Sequence, residues 1–486
     1  MRVRLLASLL TSSFLVTAPV AACQQAPSLV REAKGESFEI KSAILGETRR
    51  IFVTLPASFE KTTAPRTYPV IVVVDGEALT SPVSSVASHL SGAGQMPESI
   101  IVGIENTDRL RDLTPPGLSV SGSSLNEGGD RFIDFIEKEL LPAVDRQFRG
   151  GLPRTFVGHS SGGILATYIA ATRNSFRTVV AIDTPVHLGD NWLAEKMMKR
   201  ASASGTPAVR YVSLEARFGW SDVRWKAFAE AVPSSWRIYR EKLAHESHES
   251  MTMLASYLGL REAYADYSIL AAPKSPTTSI LPSYDKLSAS LGTTVIPPRR
   301  LLATTVEDLV AEGRGAEARK AFTTLVTSYG SPANASELDT QIAKAERQPP
   351  PTVTVESLLA TPFSTPVEAA RYVGEWVGDI WMNPDEPRNG RQTLRIRVVD
   401  GKITGETVHH LPDGETMIEP WTYFRVTKTG MTYGYMNGMR PRGMLLHEGT
   451  LKGDTLTGEM KFGGVNFTRP DGEKPPTIYF AYRKVK

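Results

Sequence analysis

The sequence predicts an α/β fold followed by an antiparallel β domain, and three observations lead to this prediction. The chain has 486 residues, well beyond the ~150 residues of an ordinary domain. Residues 36–270 alternate short β-branched runs with amphipathic stretches, a pattern typical of a parallel sheet covered by helices on both faces. From residue 372 onwards, short strand-like runs are instead separated by turn signals such as Asp-Gly.

The strands of the first unit are predicted from runs of continuous apolar residues, because a strand buried on both faces shows no alternation. In chain order the runs are IFVTL (51–55), VIVVV (70–74), SIIVGI (99–104), TFVGH (155–159), TVVAI (178–182), VRYVSL (209–214) and the less apolar WRIYREKL (236–243). Helical stretches lie between them. Residues 36–270 are therefore predicted to form a doubly wound α/β sheet.

The middle of the chain is predicted to connect two domains. Residues 271–300 contain many Ser, Thr and Pro residues and indicate an irregular linker. Residues 301–347 have helical spacing of Ala and Leu, which predicts a connector of two or three helices. That connector is either a plain helical linker or a degenerate tetratricopeptide-like repeat, because one unit cannot reveal a period.

The last unit, residues 372–486, is predicted to be a small β-barrel. Its eight strand-like runs are GEWVGDIWM, QTLRIRVVD, KITGETVHH, IEPWTYFRVT, MTYGYMN, MLLHEGTLK, TLTGEMKF and TIYFAYRKV. Eight antiparallel strands are enough to close a barrel and remove its exposed edges. The segment Gly374-Glu375-Trp376 also resembles the Gly-x-Trp opening of lipocalin-type barrels.

Charge and cysteine content exclude several classes of function. Lys+Arg number 55 and Asp+Glu 52, so the formal net charge of +3 is too small to predict a nucleic acid or an acidic membrane as partner. The single cysteine, Cys23, excludes an intramolecular disulfide and Cys-rich zinc or iron–sulfur sites. The sequence offers no metal-ligand cluster, and no metal or organic cofactor is predicted.

The N-terminus indicates export. Residues 1–22 combine Arg2 and Arg4 with an apolar stretch and terminal small residues, which is typical of a secretory signal peptide. Val-Ala-Ala-Cys at 20–23 resembles the lipobox of bacterial lipoproteins, in which the cysteine is acylated and the protein is held at a membrane surface. The alternative is ordinary cleavage, which leaves a free thiol at Cys23. The predicted location is the bacterial periplasm or the outer membrane, as a lipoprotein.

The sharpest chemical signal is Gly-x-Ser-x-Gly at residues 158–162. It lies directly after the predicted strand TFVGH and directly before the helical segment ILATYIAAT. In this context the motif is typical of a nucleophile elbow, in which the glycines permit a tight turn that presents the serine hydroxyl. Ser160 is therefore the candidate nucleophile, and the backbone N–H of Ser161 is a candidate donor to a developing oxyanion.

A serine nucleophile needs a base within hydrogen-bond reach and a carboxylate that orients the base. His248 is the candidate base because it follows the last predicted α/β strand. His245 is the alternative. His187 and His159 are interpreted as positional residues.

The predicted acid is Glu215, which ends the strand VRYVSL at the carboxyl edge of the sheet. A carboxylate there could reach the imidazole of the base. Asp222, in the following loop, and Asp183, at the end of TVVAID, are the alternatives. Each of the three could instead be a surface carboxylate or a helix cap.

Taken together, an ordered set of segments resembles the esterase D family over about 230 residues. The segments are VVVDGEA (72–78), VGIENTDRLRDLTPP (102–116), GGDRFIDFIEKELLPAVDRQF (128–148), FVGHSSGGILATY (156–168), SHES (247–250) and GLREAY (259–264). That family contains carboxylesterases, siderophore esterases, feruloyl esterases and S-formylglutathione hydrolases. The resemblance implies an α/β-hydrolase fold and a Ser-His-Asp/Glu triad, with Ser160 and His248 at matching positions.

The resemblance also implies a second oxyanion N–H from the Asp-Gly loop, at Gly76 or Glu77. Two positions depart from the family pattern: Thr184-Pro185-Val186 replaces a usual Ser-Pro-Ser, and Ser-Leu-Glu-Ala-Arg at 213–217 replaces a common Gly-Asp-x-Glu. Arg109 or Arg111 could lie at the mouth of the site, or both could belong to an ion-paired loop.

These features predict an exported serine ester hydrolase that acts on a small-molecule ester through an acyl-enzyme intermediate. Two alternatives use the same sequence features differently. One is a non-catalytic envelope protein that binds a ligand on a hydrolase scaffold, and the other is an acyltransferase with the same triad.

Overall fold

The structure is a computed structural model, and it describes residues 36–63, 66–120, 123–124, 127–267, 280–291, 293–347, 355–382, 390–436, 444–462 and 477–485. The predicted signal peptide and Cys23 lie outside these residues. Within them, every helix is either too short or too polar to cross a lipid bilayer.

The first half of the chain contains an eight-stranded sheet and a two-stranded ribbon. Its strands are β1 (Glu36–Ser42), β2 (Glu47–Thr54), β3 (Tyr68–Val73), β4 (Ile100–Ile104), β5 (Ser119–Val120), β6 (Ser123–Ser124), β7 (Gly150–His159), β8 (Thr178–Ile182), β9 (Arg210–Glu215) and β10 (Arg237–Lys242). All seven predicted runs correspond to strands of the large sheet. β1 was not predicted, because its alternating sequence ESFEIKS has only two large apolar residues.

Helices separate these strands and cover the sheet. They are α1 (Gly76–Gly92), α2 (Arg109–Leu113), α3 (Gly129–Phe135), a π-helical turn (Ile136–Leu140), α4 (Leu141–Phe148), α5 (Ser161–Thr172), α6 (Leu188–Ala201), α7 (Asp222–Ala231) and α8 (Thr252–Ala263).

The strand order of the large sheet is β1-β2-β4-β3-β7-β8-β9-β10. β1 and β2 pair antiparallel, β2 pairs antiparallel with β4, and the remaining neighbours are parallel. A mostly parallel sheet with this order, and with the serine turn after its central strand β7, has the α/β-hydrolase fold. The predicted fold class is confirmed.

Side-chain alternation along the strands divides the core into two layers. On β3, Val70 and Val72 belong to a hydrophobic cluster that includes residues of α3–α7, whereas Ile71 and Val73 belong to a second cluster that includes residues of α1 and α8. All four side chains are fully buried. Both faces of the sheet are therefore covered, which explains why the strands have no polar side.

The connector is helical over more of its length than the sequence predicts. Its helices are α9 (Ile280–Leu291), α10 (Arg299–Ala311), α11 (Gly315–Tyr329), α12 (Ala335–Glu346), α13 (Val355–Leu359) and α14 (Pro366–Ala369). The irregular linker predicted for 271–300 is wrong for residues 280–291, because Tyr284 of α9 is buried against the core of the first unit. The prediction of two or three helices in 301–347 is confirmed by α10–α12.

The C-terminal part forms a second, wholly antiparallel sheet. Its strands are β11 (Gly374–Trp381), β12 (Gly390–Val399), β13 (Lys402–His410), β14 (Thr416–Pro420), β15 (Tyr423–Val426), β16 (Gly430–Met436), β17 (Met444–Lys452), β18 (Thr455–Phe462) and β19 (Ile478–Lys484). The predicted run IEPWTYFRVT is two strands, because the chain turns at Trp421, so the sheet has nine strands.

This second sheet is a curled half-barrel. Its order is β14-β13-β12-β11-β19-β18-β17-β16-β15, so its two edge strands are consecutive in the chain. No ladder joins β14 to β15 in the part of the chain that the structure describes. The prediction of a lipocalin-like barrel is therefore confirmed only in part. Trp376 of the Gly-x-Trp segment is buried and donates its indole N–H to the carbonyl of Tyr372 at 2.8 Å.

Candidate active site

Ser160 lies at the tip of a sharp turn between β7 and α5. Its backbone has φ 59° and ψ −118°, a conformation that is strained for a residue with a side chain. The turn is fixed by a hydrogen bond from the Ser160 N–H to the carbonyl of Ile182 on β8, at 2.9 Å. A strained, backbone-fixed serine between a strand and a helix has the geometry of a nucleophile elbow.

The glycines of the motif are required by close backbone approach. A Cβ atom on Gly158 would overlap the carbonyl of Gly162, which lies across the turn. A Cβ atom on Gly162 would lie 2.8 Å from the Val74 side chain. Any larger residue at either position would therefore push the elbow apart.

The structure brings His248 to Asp183. The Nδ1 of His248 lies 2.6 Å from Oδ2 of Asp183. Because an ionised carboxylate only accepts, the hydrogen of the imidazole is on Nδ1, and Nε2 is left free to accept a proton. Asp183 is completely buried, whereas the His248 side chain is 19% exposed. The imidazole can therefore meet a substrate while its carboxylate partner is shielded from water.

Asp183 is held by backbone donors as well as by the imidazole. Its Oδ1 accepts hydrogen bonds from the N–H groups of Ala216, Arg217 and Phe218, at 2.7, 2.9 and 2.8 Å. Three N–H dipoles complement the negative charge of the carboxylate and fix its orientation. Asp183 follows β8, and the backbone of the loop that follows β9 holds its carboxylate in place.

The structure does not bring Glu215 to the histidine. Oε1 of Glu215 accepts from the hydroxyl of Ser213 and the N–H of Trp220, both at 3.0 Å. Oε2 accepts from the Arg240 guanidinium at 2.9 Å. The prediction of Glu215 as the acid is therefore corrected: its carboxylate is buried beside β10, and the carboxylate at the imidazole is that of Asp183.

Asp222, the other alternative acid, also makes no hydrogen bond to His248 in the described residues. Its Oδ1 accepts from Arg240 at 2.8 Å and from Lys242 at 2.7 Å, and the side chain is exposed. Asp222 and Glu215 therefore bind the same arginine through different nitrogen atoms, Nη1 and Nε.

The other histidines have different surroundings. His245 is exposed, and no hydrogen bond of its ring occurs in the described part of the chain. The ring of His159 lies 4.4 Å from that of His248, and its Nε2 donates to the backbone carbonyl of His248 at 2.8 Å. The pKa of His159 is lowered, mainly because the ring is buried and secondarily because His248 is close, and the lower pKa favours the neutral ring. His187 stacks on Phe218 at 6.0 Å, and Phe218 contacts His248 edge-on at 5.3 Å.

The predicted oxyanion donors lie at the starts of two helices. Ser161 begins α5, and Gly76 and Glu77 begin α1. At the start of α1, the Asp75 carbonyl already binds the N–H groups of Ala78 and Leu79, so the N–H groups of Gly76 and Glu77 precede the hydrogen-bonded turn. A Cβ atom on Gly76 would lie 2.6 Å from the backbone N of Ile104, which explains glycine at this position.

Arg109 connects the two helix starts. It donates to both carboxylate oxygens of Asp75, at 2.6 and 3.0 Å, and to the hydroxyl of Ser161 at 3.2 Å. The hydrogen bond to Asp75 raises the pKa of Arg109. Asn106 donates to Asp75 at 2.7 Å and to the Glu77 side chain at 2.6 Å. Arg111 instead binds Glu47 and Asp112, so of the two arginines it is Arg109 that contacts the elbow.

Sequence reasoning missed two of these features. The roles of Asp75 and Asn106 depend on the approach of the 105–113 segment to α1, which no local motif reveals. The contact of His159 with the backbone of His248 likewise joins residues 89 positions apart.

The hydroxyl of Ser160 makes no hydrogen bond within the described part of the chain, to His248 or to another residue. Hydrogen bonds between a nucleophile and its base often become short and well aligned only in the complex with the substrate. The described residues also contain no group of three or more His, Cys, Asp or Glu side chains placed to hold a metal ion.

Comparison with known proteins relates this part of the chain to esterases. Residues 42–235 match the sequence model of a family described as "Putative esterase". A siderophore triacetylfusarinine C esterase of Aspergillus fumigatus is 36% identical over 175 residues, and the match covers 32% of this chain and 57% of the relative. The uncharacterized protein YbbA of Bacillus subtilis is 26% identical over 141 residues, and the match covers 28% of this chain and 54% of the relative.

The chain thus spans little more than half the length of these curated relatives. Among solved structures, an IroE-like serine hydrolase of Shewanella oneidensis aligns with a TM-score of 0.48 and 25% identity, over 64% of this chain and 99% of the other. The sequence matches thus relate residues 42–235 to the sequences of esterases.

Proposed function

We propose that this protein is a serine ester hydrolase with a triad of Ser160, His248 and Asp183. The observation that carries the proposal is the coincidence of a strained serine elbow with a histidine whose Nδ1 is bound to a buried carboxylate. Serine hydrolases need this combination, since a serine hydroxyl is a weak nucleophile without a base that is held in the correct tautomer.

The proposed reaction has two stages. Ser160 attacks the ester carbonyl while Nε2 of His248 takes the hydroxyl proton, and the imidazolium then gives that proton to the leaving alkoxide. Water, activated by the same imidazole, releases the acid from the acyl-enzyme. The N–H of Ser161 and an N–H at Gly76 or Glu77 stabilise the oxyanion, because both belong to helix starts with positive dipole ends.

A p-nitrophenyl ester assay tests the mechanism. We expect Ser160→Ala and His248→Ala each to reduce kcat/KM by about 10³-fold or more. His245→Ala is the matched control, since this exposed histidine is three residues away in the same loop. Undiminished turnover by the Ser160 variant would exclude the proposed nucleophile, and equal losses in both histidine variants would exclude His248 as the specific base.

The substrate is proposed to be a small-molecule ester, and a panel of esters can narrow it. Triacetylfusarinine C belongs in that panel because the Aspergillus relative is named for it. Acylated sugars, feruloyl esters and short acyl esters provide the contrast. Product analysis in the presence of an acceptor alcohol separates hydrolysis from acyl transfer.

Export is proposed from residues 1–22, and lipidation from Cys23. Mass spectrometry of the protein from bacterial membranes tests both. An acylated N-terminal peptide that begins at Cys23 is expected, and Cys23→Ser should release the protein into the periplasm. A mature protein that retains residues 1–22 would contradict export by this signal.

A further inference from the structure

A cavity lies at the edge of the first sheet opposite to Ser160. Its volume is about 570 Å³, within the ~300–1,000 Å³ typical of small-molecule sites. Its walls include Thr178, Arg210 and Arg237, the first residues of β8, β9 and β10, together with the 293–296 segment of the connector. Ser160 lies at the opposite edge of the sheet, where the parallel strands end. The length of a strand, about 15 Å, therefore separates this cavity from Ser160.

The lining of this cavity is strongly basic. It contains four arginines, Arg66, Arg177, Arg210 and Arg237, and one acidic residue, Asp266. Arg210 binds Asp266 and the carbonyl of Glu262, and Arg66 pairs with Glu98 at 3.5 Å. The positive charges of these two arginines are therefore already matched by carboxylates.

Arg177 and Arg237 have no such partner. Nε of Arg177 donates to the carbonyl of Ala208 at 2.7 Å, and Nη1 of Arg237 donates to the carbonyl of Ser234 at 3.2 Å. Neither guanidinium contacts a carboxylate within the described ranges of the chain. Because a guanidinium carries five N–H donors, most donors of both groups are free to bind a ligand.

The strand register places the two free arginines on one edge. Thr178, which directly follows Arg177, is the register partner of Arg210, and Arg210 is the register partner of Arg237. Arg177 and Arg237 therefore flank Arg210, with backbones two strands or about 10 Å apart. Both side chains also line the same cavity, so both guanidinium groups can contact an anion bound there, which would relieve the repulsion between the two charges.

We propose that this cavity binds an amphipathic organic anion. Arg177 and Arg237 hold its carboxylate or phosphate head group, and its apolar body packs against Leu152, Pro153, Ala263 and Val295, which also line the cavity. Planar, multidentate guanidinium groups suit both head groups. The site shares no residue with the proposed triad, so it stands independently of the proposed function.

Isothermal titration of the full-length protein with octanoate, octyl phosphate and inorganic phosphate tests this site. We expect one octyl anion to bind per chain, at least tenfold more tightly than inorganic phosphate. The tighter of the two octyl probes identifies the head group. The double variant Arg177→Gln/Arg237→Gln should weaken that binding at least tenfold, while Ser160→Ala should leave it unchanged.

Arg131→Gln is the matched control, because Arg131 is also exposed and also donates to a backbone carbonyl, that of Ile44. Its binding of the octyl anion should equal that of the wild type, and p-nitrophenyl ester turnover should be unchanged in the double variant. Three results would each overturn the proposal. The first is undiminished binding by the double variant, and the second is no binding of either octyl anion. The third is an affinity for inorganic phosphate equal to that for the octyl anions, which would indicate an adventitious ion only.

Discussion

Asp183 occupies a position that two neighbouring strands create together. It follows the last residue of β8, and its carboxylate is bound by N–H groups from the loop that follows β9. The nearby Glu215 also ends a strand at the same sheet edge, so strand position alone cannot distinguish the two acids. The two carboxylates differ in their contacts: N–H groups of the loop after β9 bind Asp183 beside His248, whereas Glu215 binds Arg240.

Asp183→Asn should reduce kcat of ester hydrolysis about 10³–10⁴-fold, with a smaller change in KM. The asparagine amide can present an N–H to Nδ1, which would favour the imidazole tautomer that cannot accept a proton at Nε2. Steady-state kinetics with a p-nitrophenyl ester measures this effect. Asp222→Asn is the control and should retain wild-type kinetics, and a comparable loss in both variants would argue against a specific role of Asp183.

We expect the stability of the second sheet to depend on pH, because the imidazole of His447 on β17 is buried. Burial lowers its pKa to about 3, and neither ring nitrogen has a hydrogen-bond partner in the described residues. Its ring stacks on Tyr433 at 4.4 Å. In the unfolded chain an ordinary histidine titrates near pH ~6.5, so between that value and pH 3 the unfolded state binds the extra proton.

The stability that comes from neutral His447 is therefore present above pH ~6.5 and is lost as the pH falls, by up to ~1.4 kcal/mol per pH unit. His447→Phe should flatten the decline of the unfolding midpoint between pH 7 and pH 5, as measured by tryptophan fluorescence. The exposed His410 provides the control, and His410→Gln should keep the wild-type slope. An unchanged slope in His447→Phe would show that other groups cause the decline.

At the scale of elements, the loop after β9 is held at both of its ends. Asp183 binds residues 216–218 at its start, and Glu215 binds the N–H of Trp220 at its end. The ion pair of Glu215 with Arg240 is 2.8 Å long, with side chains only 5% and 10% exposed. A buried pair of this kind fixes the loop because either charge would be costly if left alone.

Glu215→Ala should lower the free energy of unfolding by about 3 kcal/mol or more, because it leaves Arg240 buried without its inner partner. Urea denaturation measures the loss. Asp222→Ala removes the exposed outer partner of the same arginine and should leave the denaturation midpoint unchanged. If both variants had equal midpoints, the buried ion pair would not be what holds the loop.

The turn at Ser160 and the carboxylate of Asp183 differ in how well the sequence predicts them. The sharp turn at Ser160 could be predicted because its strand, turn and helix are contiguous, and the need for glycine at 158 and 162 is local. The position of His248 after the last strand is visible in the sequence, but His245 shares it, and the structure is needed to show which ring contacts Asp183. Asp183 remained one of three alternatives, since its selection depends on contacts with residues more than 30 positions away.

The same limit applies to the second sheet. Its strands were predicted from strand-like runs separated by turn signals, but Trp421 divides one predicted run into two strands on opposite edges. Trp421 is buried against Tyr433 with ring centroids 4.2 Å apart. The turn is thus set by packing across the sheet, which a run of apolar and aromatic residues does not reveal.

At the scale of the whole molecule, the helical connector packs against the first unit. Arg66, just before β3, donates to the carbonyl of Ser328 on α11 at 3.1 Å. Its guanidinium also lies 4.5 Å from the ring of Tyr68 and 4.9 Å from the ring of Tyr329. The side chain is only 7% exposed, so these contacts are made away from water.

Arg66→Ala should therefore weaken the junction between α11 and the first unit, with a loss of about 2 kcal/mol in unfolding free energy. Limited proteolysis should show faster cleavage within residues 301–347, while p-nitrophenyl ester turnover at 25 °C stays near wild type. Arg131→Gln is again a suitable control. Wild-type resistance of the Arg66 variant to proteolysis would contradict the proposed role of this contact.

Covalent labelling of Ser160 tests the proposed enzyme most directly. The protein is treated with a fluorophosphonate probe, and the modified peptide is identified by mass spectrometry. We predict one adduct, at Ser160, that forms much more slowly in His248→Ala and Asp183→Asn but at the wild-type rate in His245→Ala. A folded protein without an adduct at Ser160, or an adduct whose rate does not depend on His248, would contradict a serine hydrolase mechanism at this site.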